Sequence, residues 1–218
     1  MPPASSPPDA HGPSTIRFLS GDVLRNRRVG EVVRVGTVDV PKPPARLTAD
    51  WEREVSSVLA LEPGDVEPLP LPRARLRWPD YRQCVQAMAD WTGALGLSEV
   101  LASSELALMA CRGAKYHHDA VQYGGAAFCN LFMSEDKGLD LLFPRASLRI
   151  PLARGTAVVF DTGQPHAVVR RGCSGFDAAD FADGVDCTVV FLSWELPIED
   201  QHVARALGVV FDGEAPIA

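Results

Sequence analysis

The chain has 218 residues, 46% hydrophobic and 22% charged, with a formal net charge of −7. That length suits one domain with appendages, and that balance excludes wholesale disorder. Arginine outnumbers lysine 18 to 3 in an acidic chain, which leaves no electrostatic footprint for nucleic acid, and no apolar run approaches the roughly 20 residues that span a bilayer.

Five cysteines without a CxxC pair fit reduced thiols in a cytoplasmic protein better than a disulfide framework. Residues 1–14 hold five of the 18 prolines and read as a disordered Pro/Ser-rich tail, not a secretory signal. Residues 15–100 form a strand and helical flank. Within it the valine-rich alternation of 29–40 predicts one or two strands. The basic cluster Arg25, Arg27, Arg28 and Arg34 reads as a solvated face. Thr48 or Asp50 caps a helix reaching about Leu61, with Trp51, Val55, Val58 and Leu59 on one stripe. Residues 62–72 read as an extended loop. A second helix starts near Pro79 and carries Tyr81, Val85, Met88, Trp91 and Leu95 on its apolar stripe.

From 101 to 196 the texture changes to short apolar segments bounded by Gly, Pro or charge. They are Glu105–Cys111, Ala126–Met133, Leu139–Phe143, Leu148–Leu152, Thr156–Phe160, His166–Arg170 and Cys187–Trp194. Seven short strands without intervening helices predict an antiparallel β sandwich or barrel. Residues 172–186 are an acidic, glycine-containing insertion before the last strand. Residues 197–218 supply a closing helix, Ile198 to Leu207, and a tail. The fold class is mainly β with a helical N-terminal flank.

Histidine is scarce, with five in the chain. Three lie in the β region, and two of these adjoin a carboxylate in Tyr116-His117-His118-Asp119. On an extended backbone residues i and i+2 point the same way, so His117 and Asp119 present ligand atoms to one point. His166 opens a strand after a tight turn at 161–163 and supplies a third. Two imidazoles and one carboxylate on one face of a metal leave positions open for substrate and O2, the facial triad of non-haem Fe(II) oxygenases. The bland alternative is that each histidine merely satisfies a local hydrogen bond.

The order of HxD, an apolar strand, a hairpin, Phe143-Pro144, the run from Arg149 to Gly155, and G-x4-F-x5-H resembles the Fe(II)/2-oxoglutarate-dependent oxygenases, in particular prolyl-hydroxylase-like members. The match runs from about Leu106 to Trp194. It implies a double-stranded β-helix (a cupin-like jelly roll) in which His117, Asp119 and His166 hold Fe(II) and His118 points away. It also implies 2-oxoglutarate as cosubstrate, O2 as oxidant, and hydroxylation of an unactivated C–H in a small molecule or peptide residue. One departure stands out. Family members commonly grip the distal carboxylate of 2-oxoglutarate with Arg or Lys on the last core strand, and here Thr188 sits about there. A substitute is expected from Arg170, four residues past His166, or from the amide of Asn130, on the face shared by Phe128 and Phe132.

Two further readings stay open. Gly155 to His166 also fits a second cupin motif with Asp161 in place of proline, which suits a cupin-class metalloenzyme that does not use 2-oxoglutarate. The other is a non-catalytic β-sandwich binding module. The insertion 172–186 reads equally as a lid or as an ordinary loop.

Overall fold

A computed structural model describes residues 14–182 and 186–212. Nearly all of the expected N-terminal tail, and the chain beyond 212, lie outside the described residues. The chain opens with β1 (Thr15–Ser20) and β2 (Val23–Arg28), an antiparallel hairpin closed by Gly21-Asp22, where Gly21 has φ +57°. A two-residue turn of this kind favours glycine because it requires positive φ. β3 (Arg34–Thr37) follows, so the strands begin earlier than the valine-rich run suggested. The arginine-laden β2 shows little apolar alternation and hides its strand character from a pattern search.

The flank continues with α1 (Ala45–Arg53), prolonged by a π-helical turn at Glu54–Val58. Trp51 and Val55 of the expected stripe are buried, whereas Val58 is exposed. The presumed loop at 62–72 instead contains β4 (Val66–Leu69), and α2 (Leu71–Arg77) follows directly. Strand pairing overrides local composition here: β4 lies antiparallel to β5 (Glu105–Cys111) at the sheet edge, where a proline is tolerated. The second expected helix is α3 (Tyr81–Gly93), and α4 (Ser98–Ser103) comes next.

The remaining elements are β6 (Ala114–His117), α5 (Ala120–Tyr123), β7 (Ala126–Phe132), β8 (Leu139–Phe143), β9 (Leu148–Pro151), β10 (Thr156–Asp161), β11 (His166–Arg170), β12 (Val189–Pro197), α6 (Gln201–Leu207) and β13 (Val210–Phe211). A six-stranded sheet runs β3-β10-β7-β12-β5-β4, and a four-stranded sheet runs β6-β11-β8-β9. All of their pairings are antiparallel. The protein is therefore a double-stranded β-helix with a helical flank.

Strand alternation sorts the core into two layers. On the large sheet Val158, Phe160, Phe132, Val189 and Phe191 face inward and join Leu141, Phe143, Ile150 and Val168 of the small sheet. The intervening Ala157, Val159, Cys129, Leu131, Val190, Leu192 and Trp194 face outward and pack with Trp51, Met88 and Leu101 of the helices. β13 pairs with β2 in a third sheet, tying the C-terminal end of the described chain to the N-terminal hairpin.

The insertion after β11 is anchored within its described part. Phe176 and Phe181 stack at 5.1 Å, Phe181 is fully buried, and Arg112 donates to the Phe181 carbonyl at 2.7 Å. A Cβ on Gly113 would lie 2.5 Å from the Phe181 ring, so this close approach requires glycine. Among the described residues no helix is long and apolar enough to cross a membrane.

Candidate metal centre

β6 pairs with β11 so that His117 stands directly opposite His166, with an irregularity before Val168. The two rings are 4.4 Å apart between centroids. Asp119 reaches the same point by a route different from the expected strand alternation. β6 ends at His117, and Asp119 has φ −93° and ψ 1°, at the entry to α5. Its position is fixed from the other side, because the Asp119 N–H donates to the Thr162 carbonyl at 2.8 Å. The Asp119 Oδ1 lies 3.4 Å from His117 Nε2, and Oδ2 lies 3.5 Å from His166 Nε2. One ligand atom from each residue falls within 4.8 Å of the others. Ligand atoms at right angles about an ion with bonds of about 2.1 Å stand roughly 3 Å apart, so small rotations close the set.

Both imidazoles are oriented alike. His117 Nδ1 lies 2.7 Å from the Lys115 carbonyl, and His166 Nδ1 lies 3.0 Å from the Gln164 carbonyl. A carbonyl can only accept, so each Nδ1 carries a proton, and in the neutral ring Nε2 is the atom left to act as a ligand. Burial pushes the His166 pKa down to about 4, which keeps that ring neutral. Burial also works against charge on His117, but the hydrogen bond and charge of Asp119 outweigh it and hold its pKa above the ordinary value. Burial raises the Asp119 carboxyl; the His117 hydrogen bond and the neighbouring imidazoles more than offset this and leave it below the usual range. Phe160 meets the His166 ring edge-on at 4.9 Å and walls its inner side. His118 contributes no atom to the group and does not line the cavity beside it.

A clamp that sequence patterning missed holds the turn between β10 and β11. Arg27, assigned to a solvated face, is fully buried and pairs with Asp161, likewise fully buried. The guanidinium forks onto both carboxylate oxygens, with Nη2 at 2.8 Å from Oδ1, while Nε donates to the Gly124 carbonyl at 2.9 Å. The Asp161 carboxylate also accepts from the N–H of Gly30 at 2.7 Å and of Gly163 at 2.8 Å. Gln164 donates to the Gly30 carbonyl at 2.8 Å, and the Thr162 hydroxyl donates to the Tyr123 carbonyl at 2.7 Å. This one turn supplies the carbonyls of Thr162 and Gln164 that orient Asp119 and His166. Its sequence signal was Asp161-x-Gly163; the partner 134 residues away carried none.

The three side chains line the wall of a cavity of about 560 Å³. Its apolar lining includes Met109, Phe128, Phe132, Leu141, Phe160 and Phe191, and its polar lining includes Gln122, Tyr123, Asn130, Ser193, Glu67 and Glu195. Of the three residues expected to contact a cosubstrate, Asn130 is in this cavity. Arg170 is not: its guanidinium donates to the Lys137 carbonyl at 3.1 Å, at the far end of β11. Thr188 lines a separate depression beside Trp51, Lys137 and Val190. Thr188 precedes β12 and shares parity with the outward-facing Val190 and Leu192, so strand alternation carries it away from the interior. No lysine or arginine lines the cavity among the described residues. None of the described part of the 172–186 insertion lines it either.

No family model and no curated protein matches the chain. Solved structures do. A prolyl-4-hydroxylase from Pseudomonas putida is 15% identical, with a TM-score of 0.44 over 76% of this chain and 92% of that one. The viral collagen prolyl hydroxylase of Paramecium Bursaria Chlorella virus-1 is 9% identical, with a TM-score of 0.41 over 77% and 90%. EvdO2 from Micromonospora carbonacea var. aurantiaca is 13% identical, with a TM-score of 0.43 over 78% and 87%. The likeness is one of fold.

Proposed function

We propose that the chain is a mononuclear non-haem metal enzyme of the oxygenase type, with Fe(II) held by His117, Asp119 and His166 and O2 as oxidant. The supporting observation is the convergence of two imidazole Nε2 atoms and one carboxylate on the wall of a cavity lined by aromatic and polar side chains. The donor set fits the ion: two imidazole nitrogens, His117 giving up its Nε2 proton to the metal, and one anionic oxygen suit Fe(II) and would leave positions for other ligands. When bound, the ion supplies Lewis acidity and access to O2 chemistry. The protein's part is to hold both imidazole tautomers through the Lys115 and Gln164 carbonyls and to fix Asp119 through Thr162. It also keeps the substrate among Phe128, Phe132, Phe160 and Phe191, away from bulk water.

2-Oxoglutarate fits less well. Its distal carboxylate needs a cation or several donors when buried, and the amide of Asn130 does not offset a charge as a guanidinium does. That observation favours the second reading, an oxygenase of the same metal set that does not use 2-oxoglutarate. Anaerobic Fe(II) titration of the purified protein tests the metal assignment: one equivalent is expected to bind, and His166→Ala to abolish binding while leaving the circular dichroism unchanged. Persistent lack of metal uptake by the wild-type protein points to the non-catalytic binding module instead. With O2 and added 2-oxoglutarate, the loaded protein is expected to form no succinate; stoichiometric succinate would restore the cosubstrate.

A further inference from the structure

The charged lining of the cavity is one-sided. Besides the metal set it carries Glu67 and Glu195, with no lysine or arginine among the described residues. Glu195 sits on β12 directly opposite Glu105 on β5 and Phe128 on β7. Like charges facing each other across a sheet repel. Burial first, and Glu105 second, push the Glu195 pKa up, and a cation placed beside it would offset both. Two residues inward along β12 comes Ser193, paired in register with Asn130. Asn130 is 6% exposed, faces the cavity between Phe128 and Phe132, and its Oδ1 has no hydrogen-bond partner among the described residues. A buried amide oxygen without a donor is costly, and native interiors rarely leave one so.

These features ask for the same complement. The Glu195 carboxylate and the Asn130 Oδ1 are acceptors, the set carries negative charge, and the walls around it are aromatic. A second carboxylate placed here would face Glu195 without a cation. A protonated amine would supply the missing charge to Glu195 and an N–H to Asn130, and aromatic faces accommodate a cation well.

We propose that this cavity recognises an ammonium-bearing small molecule, with Glu195 as its counter-ion and Asn130 as a hydrogen-bond acceptor, and that it gives a dicarboxylate cosubstrate no grip on its second carboxylate. As a statement of substrate class the proposal rests on the oxygenase reading above, but amine recognition by Glu195 is independent of the metal.

Two binding measurements decide it. In the first, metal-free protein is titrated calorimetrically with 1,5-diaminopentane and with glutarate, five-carbon chains with opposite end charges. The diamine is expected to bind and glutarate not to. Glu195→Gln, a near-isosteric change checked by circular dichroism, is expected to weaken the diamine about tenfold, as loss of one charge contact would. Asn130→Leu is expected to weaken it several-fold, with Glu195 still present. Absence of diamine binding, equal binding of glutarate, or indifference to Glu195→Gln overturns the proposal.

In the second, protein loaded with Mn(II) without O2 is titrated with pyruvate and with 2-oxoglutarate. The two share the 2-oxo acid head and differ in the distal carboxylate, so similar affinities are expected. A tenfold or greater preference for 2-oxoglutarate overturns the exclusion of a dicarboxylate. Failure to take up Mn(II) counts against the metal assignment alone, because the diamine arm needs no metal and still decides amine recognition.

Discussion

Replacing Arg27 by methionine removes one member of an ion pair with both side chains at 0% exposure. Deleting one partner of such a pair strands the other charge in a low-dielectric interior and costs about 3–5 kcal/mol. The Asp161 carboxylate would keep the N–H groups of Gly30 and Gly163, which places the cost toward the lower end. Asp161→Ala goes further. It leaves the Arg27 guanidinium with the Gly124 carbonyl and the face of Phe18 as partners among the described residues and orphans two backbone donors at about 1–3 kcal/mol each. The expected order of stability is therefore wild type, then Arg27→Met, then Asp161→Ala. For a domain of this size, about 3 kcal/mol lowers the melting temperature by roughly 6–12 °C. Urea unfolding followed by tryptophan fluorescence measures the free energy, and calorimetry the midpoint. Because the same turn orients Asp119 and His166, Fe(II) affinity should also fall, by about 10–100-fold as for other outer partners of metal ligands. An Arg27→Met protein within about 1 kcal/mol of wild type would refute the charge-burial argument. One that is destabilised but holds Fe(II) as tightly as wild type would refute the link from clamp to site.

Other consequences are as direct. Gly163→Ala places a Cβ 2.2 Å from Ile16 Cδ1 and 2.9 Å from Val29 Cγ2, and is expected to cost about 1–3 kcal/mol by overpacking, read by urea unfolding. His166 is buried with its pKa pushed down to about 4 from 6.5. A depressed histidine contributes stability above its unfolded pKa and loses it as pH falls through the folded one. The contribution of His166 to metal-free protein should thus fall by about 3 kcal/mol between pH 6.5 and 4, against the opposite, stabilising trend of His117, and His166→Gln should remove that fall; equal slopes in both proteins would contradict the assignment. Four of the five cysteines are buried, and burial raises the thiols of Cys84 and Cys111 to about 12. Iodoacetamide at pH 8 is therefore expected to label native protein once, at Cys173, by mass spectrometry, and all five sites only after unfolding.

Much of the β core was legible because its strands alternate or run apolar between clear punctuation. β5, β7, β8, β10 and β11 start where the patterns do. The flank was harder. β2 carries four polar residues in six, and β4 includes a proline, so neither reads as a strand until its partner is known. The candidate metal set was proposed from residue types in order, yet the expected reason for convergence was incomplete: Asp119 arrives by a turn held by Thr162, not by strand alternation. Arg27 looked solvated because three other arginines surround it in sequence. Its burial follows from Asp161, and no local pattern announces an ion pair across 134 residues.

Local chemistry determined which side chains are able to bind a metal and which strand faces are apolar, since both follow from residue type and a period of two. Tertiary structure decided the rest. The register of β6 on β11 sets His117 beside His166, the buried clamp fixes their turn, and parity sends Thr188 outward while Asn130, Ser193 and Glu195 line the interior. Those outcomes depend on which distant strands pair and in what register, a choice made by the free energy of the whole assembled core and by no segment alone.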